Sequence, residues 1–175
     1  MVRCVFLVLF MVFVAATPVH AVIYQVPVQG VVIDPFRPPV NPYGPGNRGW
    51  EFRVDLDTEV RAPADGTVTF AGQVGGTLNV VIEHDDGVRT TLRKLTVIDV
   101  HKGDAVQAGQ RIGTASGEFY FGARCGSTYI DPRKLFDRRV WLVPLDGEIE
   151  EQPSPFSCDV QTSLRDNRRG SQLRL

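Results

Sequence analysis

The sequence predicts an all-β protein, an antiparallel two-sheet domain with few or no helices. Short apolar runs are separated by many of the 17 glycines and 12 prolines, which is how strands and turns alternate. No long stretch carries the 3.6-residue apolar period of an amphipathic helix. The Asp86-Gly87 pair lies between two strand-like runs, and Asp-Gly readily takes the positive φ of a tight hairpin.

The elements follow in order. Residues 22–46 hold Pro27, Pro35, Pro38, Pro39, Pro42 and Pro45. So many prolines exclude a helix and make a poor central strand. This stretch reads as an extended lead-in that packs on the body, docked by Val31, Val32, Ile33 and Phe36. From Trp50 the pattern turns to strands: a short one at 60–63, then 67–71, 78–83 and 88–95. Gly75-Gly76 and the 84–87 turn separate the later ones. Turns at 102–104 and 108–110 flank Val106, and 112–115 and 119–123 read as two further strands. Asp131-Pro132 opens a helical turn, Asp131 as N-cap and Pro132 at the first position. Residues 140–143 read as a last strand, within a domain spanning 47–145. The segment 146–175 is polar and reads as a flexible tail.

A chain of 175 residues with 43% hydrophobic content can bury a substantial core. A formal net charge of -1 supplies no basic field for nucleic acid. Residues 1–21 read as a signal peptide: Arg3, an apolar run over 4–16, then Val19 and Ala21 flanking His20. An uncleaved anchor or a buried strand is the other reading; the run is short for a span of roughly 20 apolar residues. Cleavage implies an exported protein, in the periplasm, the cell wall or outside the cell, with no membrane attachment afterwards. It also leaves Cys125 and Cys158, a pair that in an exported chain favours one disulfide over two free thiols. Arg165, Arg168, Arg169 and Arg174 make the tail basic, a solvated end or a contact for anionic wall polymers.

Four segments carry a resemblance. They are 60–72 (Val-Arg-Ala-Pro-Ala-Asp-Gly-Thr-Val-Thr-Phe-Ala-Gly), 80–87 (Val-Val-Ile-Glu-His-Asp-Asp-Gly), 106–113 (Val-Gln-Ala-Gly-Gln-Arg-Ile-Gly) and 121–124 (Phe-Gly-Ala-Arg). In order and spacing they resemble the LytM/lysostaphin-type zinc peptidoglycan endopeptidases, and Tyr129-Ile130-Asp131-Pro132 with Leu135 matches the end of that domain. Active members carry His-x-x-x-Asp, then a lone histidine, then His-x-His. The first His, the Asp and the last His bind zinc, and the other two histidines act on the metal-bound water and the developing oxyanion. The resemblance places the three ligands at Asn47, Glu51 and Tyr120, and the two catalytic histidines at Lys94 and Glu118. All five differ from the family pattern. Of the ligand positions only Glu51 offers a group that zinc favours, so no metal or other cofactor is expected. His20 leaves with the leader; His84 and His101 read as surface residues of turns.

If the fold is kept, Glu51, Lys94 and Glu118 converge on the position of the metal, as an ion cluster or as side chains turned to solvent. Asn47, Trp50, Glu51, Lys94, Glu118 and Tyr120 are then the expected groove residues, although Trp50 could equally be core. The resemblance implies a pseudo-enzyme of the envelope that binds peptidoglycan or regulates a cell-wall hydrolase or division protein. The alternatives are an active metallopeptidase with atypical ligands and a carrier of the lipoyl type. The carrier would need its lysine at a hairpin tip, and Lys94 lies in a strand pattern.

Overall fold

The structure is a computed structural model that describes residues 22–41, 44–136 and Cys158. The expected leader (1–21), the last strand (140–143) and the tail, apart from Cys158, lie outside the described residues.

Eight strands follow in chain order: β1 (Val31–Asp34), β2 (Gly49–Arg61), β3 (Gly66–Val74), β4 (Thr77–Glu83), β5 (Val88–Ile98), β6 (Ala105–Val106), β7 (Arg111–Cys125) and β8 (Thr128–Ile130). Among the described residues a short helix, α1 (Arg133–Phe136), follows these strands. Every pairing is antiparallel. The strands sort into one hydrogen-bonded path, β1-β2-β7-β5-β4-β3-β6, with β8 added to β7. The sequence reading divides these strands between two sheets; in the structure the ladder joins them. Register shifts between Val54 and Thr58, and between Arg93 and Leu95, interrupt it, and such bulges bend and twist a sheet.

The segments read as strands at 112–115 and 119–123 form one strand, β7, which passes through Gly117 at φ 76. β7 is paired along one side by β5. Along the other side β2 pairs it as far as Gly122, and β8 continues from Ala123. Its alternation divides the molecule. Phe119, Phe121 and Ala123 are buried with Phe52, Val60, Val80, Ile82, Leu92 and Ile112. Glu118, Tyr120, Gly122 and Arg124 point to the other face, as period-two geometry requires. Burying each of the two phenylalanines contributes about 2–3 kcal/mol by area.

The lead-in docks differently from the expectation. Val31, Val32 and Ile33 are exposed, and β1 holds to β2 through its backbone ladder. The anchors are Tyr24, Pro27 and Val28, all buried.

His84 is not a surface turn residue; it is 3% exposed. Its Nδ1 lies 2.7 Å from the Asp65 carbonyl oxygen and its Nε2 2.8 Å from Thr90 Oγ1. A carbonyl only accepts, so Nδ1 carries the proton and Nε2 accepts from the threonine hydroxyl. The Tyr24 ring meets His84 edge-on at 5.1 Å, and its hydroxyl donates to both Asp86 carboxylate oxygens at 2.8 and 2.9 Å. Burial holds the His84 pKa below its usual value despite the opposing Asp65 contact and nearby aspartates. Burial, reinforced by Asp86, pushes the Tyr24 phenol up. Beside this hairpin Cys125 and Cys158 form a disulfide, as the cysteine pair predicts. His101 is exposed, as expected. Asp131 caps α1 through its side chain to Arg133 N at 3.0 Å.

Candidate functional site

The face of β7 opposite the core is the floor of the candidate site. Glu51 of β2 and Arg93 of β5 flank Tyr120, and Gly49 and Thr91 flank Gly122. Regular alternation would send Lys94 toward the core after Arg93. The register break between Arg93 and Leu95, with Lys94 at φ 64, puts both neighbours on this side and returns Leu95 to the core. A non-glycine residue with positive φ is uncommon and is held here by the strands around it.

The Lys94 Nζ lies 2.7 Å from Glu118 Oε2 and 3.8 Å from Glu51 Oε1. The three side chains therefore converge, as the sequence reading anticipates. The cluster is not sealed: side-chain exposures are 32% for Lys94, 33% for Glu51 and 61% for Glu118. The hydrogen bond from Lys94, followed by its charge, holds the Glu118 carboxyl below the usual carboxylate range. Open pairs of this kind contribute little stability, because water competes for both partners.

Tyr120 lies low on the floor. A Cβ on Gly122 would come within 2.7 Å of its Oη, and one on Gly49 within 2.8 Å, so the two glycines make room for its ring. Burial pushes its phenol up to about 12 even though Arg93 and Arg48 oppose the shift. The Arg93 guanidinium stacks over the Tyr120 ring at 5.3 Å and donates from Nε to Asn79 Oδ1 at 3.2 Å. Arg48 lies over Tyr129 at 5.5 Å.

Two of the six expected groove residues are used elsewhere. Asn47 is buried; its Nδ2 donates to the Asp34 carbonyl at 3.1 Å and its Oδ1 accepts from Gly49 N at 3.1 Å. Trp50 follows the alternation of β2 to the opposite face, where it packs on Phe52 and Phe136 at 6.0 and 5.7 Å. Phe119, a conceivable contact residue, is fully buried. Arg48, Arg93, Arg124 and Tyr129, which border the floor, were missed. The alternation Glu-x-Tyr-x-Gly-x-Arg over 118–124 was a signal that could have found Arg124.

These residues do not fit a zinc ion. The Asn47 amide has both ends committed to backbone, burial holds the Tyr120 phenol protonated, and an ammonium lies between the two carboxylates. Zinc would need three deprotonated or imidazole donors. Among the described residues no group of three or more His, Cys, Asp or Glu is placed to hold a metal.

Residues 45–132, half of the chain, match Peptidase family M23. No curated protein sequence matches the chain at a significant level. Among solved structures, a chain of the SpoIIQ–SpoIIIAH pore-forming complex aligns with TM-score 0.59 and 22% identity, covering 67% of this chain and 93% of that one. The lysostaphin catalytic domain from Staphylococcus simulans aligns at 0.56 and 22%, covering 62% and 93%. Csd3 of Helicobacter pylori aligns at 0.60 and 21%, covering 88% of this chain and 42% of that chain.

Proposed function

This chain belongs to peptidase family M23, and from that premise we propose that it is a non-catalytic module of the cell envelope, a pseudo-enzyme that binds peptidoglycan or regulates a cell-wall hydrolase. One observation carries the reading. Lys94, which by the family resemblance falls at a catalytic-histidine position, pairs with Glu118 and Glu51. An ammonium, unlike an imidazole, offers no lone pair to bind a metal or take a proton, and this supports the reading. The floor is open, which suits binding without cleavage.

The partner reading draws on the SpoIIQ relative, which assembles with SpoIIIAH into a pore-forming complex. Export rests on residues 1–21, and no described helix is long and apolar enough to cross a membrane. Cell fractionation checks the location: the mature chain is expected in the envelope or medium.

The test of function is co-sedimentation of the purified protein with peptidoglycan sacculi, or its capture of an envelope hydrolase, run beside a dye-release assay for cleavage. Binding with no dye release, with or without added zinc, is the expected result. Release of dye that depends on stoichiometric zinc would establish an active metallopeptidase with atypical ligands and overturn the proposal.

A further inference from the structure

Next to Tyr120, away from Lys94, the same face holds a shallow cleft of about 150 Å³. Arg48, Arg93 and Arg124 line it together with Tyr120, Tyr129 and Thr91. Neither Arg93 nor Arg124 pairs with a carboxylate among the described residues. Three guanidinium groups around so small a space repel one another, and an anion between them removes that repulsion.

We propose that this cleft is an anion subsite that takes the free carboxylate of a short peptide lying along the groove. The proposal rests on reading the groove as a binding surface and names the chemistry it recognises. Arg48 and Arg93 lie over the Tyr129 and Tyr120 rings, and Arg93 is held further by its bond to Asn79, so both heads are positioned before a ligand arrives. A pre-set guanidinium fork matches the planar, two-oxygen geometry of a carboxylate. The Tyr120 phenol stays protonated and, with the Thr91 hydroxyl, adds O–H donors to the lining.

Charge attracts any anion here, and what favours a peptide carboxylate over free phosphate is the chain attached to it, which can lie along β7. Glu51 beside Tyr120 and Glu118 farther along the same row border that path. The row from Gly122 to Glu118 extends about 13 Å along the strand, room for roughly four extended residues leading away from the anchored end.

Isothermal titration calorimetry on the full chain tests this with N-acetyl-tetraalanine as the free acid, its C-terminal amide, and inorganic phosphate. The free acid is expected to bind at least about tenfold more tightly than the amide and more tightly than phosphate, as loss of a charge-assisted pair implies. Arg124→Gln removes a side chain that pairs with no carboxylate among the described residues, and should weaken the acid about tenfold while leaving the amide unchanged. Arg93→Lys keeps the charge but loses the fork, and should also weaken the acid. Equal binding of acid and amide, no binding of the acid at millimolar concentration, or tighter binding of phosphate would overturn the proposal. Sacculus binding that survives such a result would leave the non-catalytic reading intact. Zinc-dependent cleavage would overturn that reading and leave the acid–amide comparison standing.

Discussion

Two polar clusters on this sheet use similar contacts to opposite ends. At the β4–β5 hairpin, His84, Thr90, Tyr24 and Asp86 form a knot that is largely closed to water. On the groove face, Lys94 bonds Glu118 at 2.7 Å and stands 3.8 Å from Glu51, in the open. Burial makes the difference. Inside, each group depends on its partner, because losing the partner leaves a buried polar atom without water. Outside, water replaces whatever is removed. The knot holds the lead-in to the sheet; the open cluster is free to exchange partners with a ligand.

The sharpest way to break this contrast is His84→Ala. It leaves the Asp65 carbonyl and the Thr90 hydroxyl buried without their partner and opens a cavity, so stability should fall by about 3 kcal/mol in urea unfolding. A loss below about 1 kcal/mol would show that the knot is as dispensable as a surface pair. Tyr24→Phe keeps the ring against His84 but removes the bond to Asp86, for an expected loss of about 1–2 kcal/mol.

Acidification probes the knot without mutation. The folded pKa of His84 lies below its ordinary value, so between the two values the unfolded chain binds more protons. The contribution is fully present above about pH 6.5 and is lost as the pH falls through that value toward the folded pKa. Urea midpoints measured across this window should decline toward acid. A flat profile there would mean that His84 titrates alike in both states.

The smallest effect belongs to the groove. Lys94→Met should shift the thermal midpoint little, by less than about 1 kcal/mol in stability, because its partners are solvated. Clear destabilisation, measured by differential scanning calorimetry, would show the cluster to be a structural element and erase the contrast.

Legibility in the sequence followed the same division. Turn chemistry and apolar alternation revealed the strands and the Asp-Gly hairpin, because those signals are local. The convergence of Glu51, Lys94 and Glu118 was legible only through the family resemblance, since it depends on pairing β2, β5 and β7. The burial of His84 was hidden. A histidine beside Asp85, Asp86 and Gly87 looks like a turn residue, and what covers it, Tyr24, comes from sixty residues earlier in the chain. Trp50 was misplaced for a simpler reason: adjacent strand residues face opposite ways, and the resemblance identified Glu51 as the groove residue. The arginine cleft was missed because its members come from β5, β7, β8 and the residue before β2, and no short motif contains them.

The disulfide has a mechanical consequence. Cys125 ends β7, the strand bonded on both sides, and its partner Cys158 lies 33 residues further on. Tension applied to the chain beyond residue 158 bypasses residues 137–157 and enters the sheet at β7, a strand paired along both edges. There it is shared as shear between the β5 ladder and the β2 and β8 ladders. Reduction removes that direct route into β7. Pulled from its C-terminal end in a single-molecule experiment, the oxidised protein should therefore yield at higher force than the reduced one.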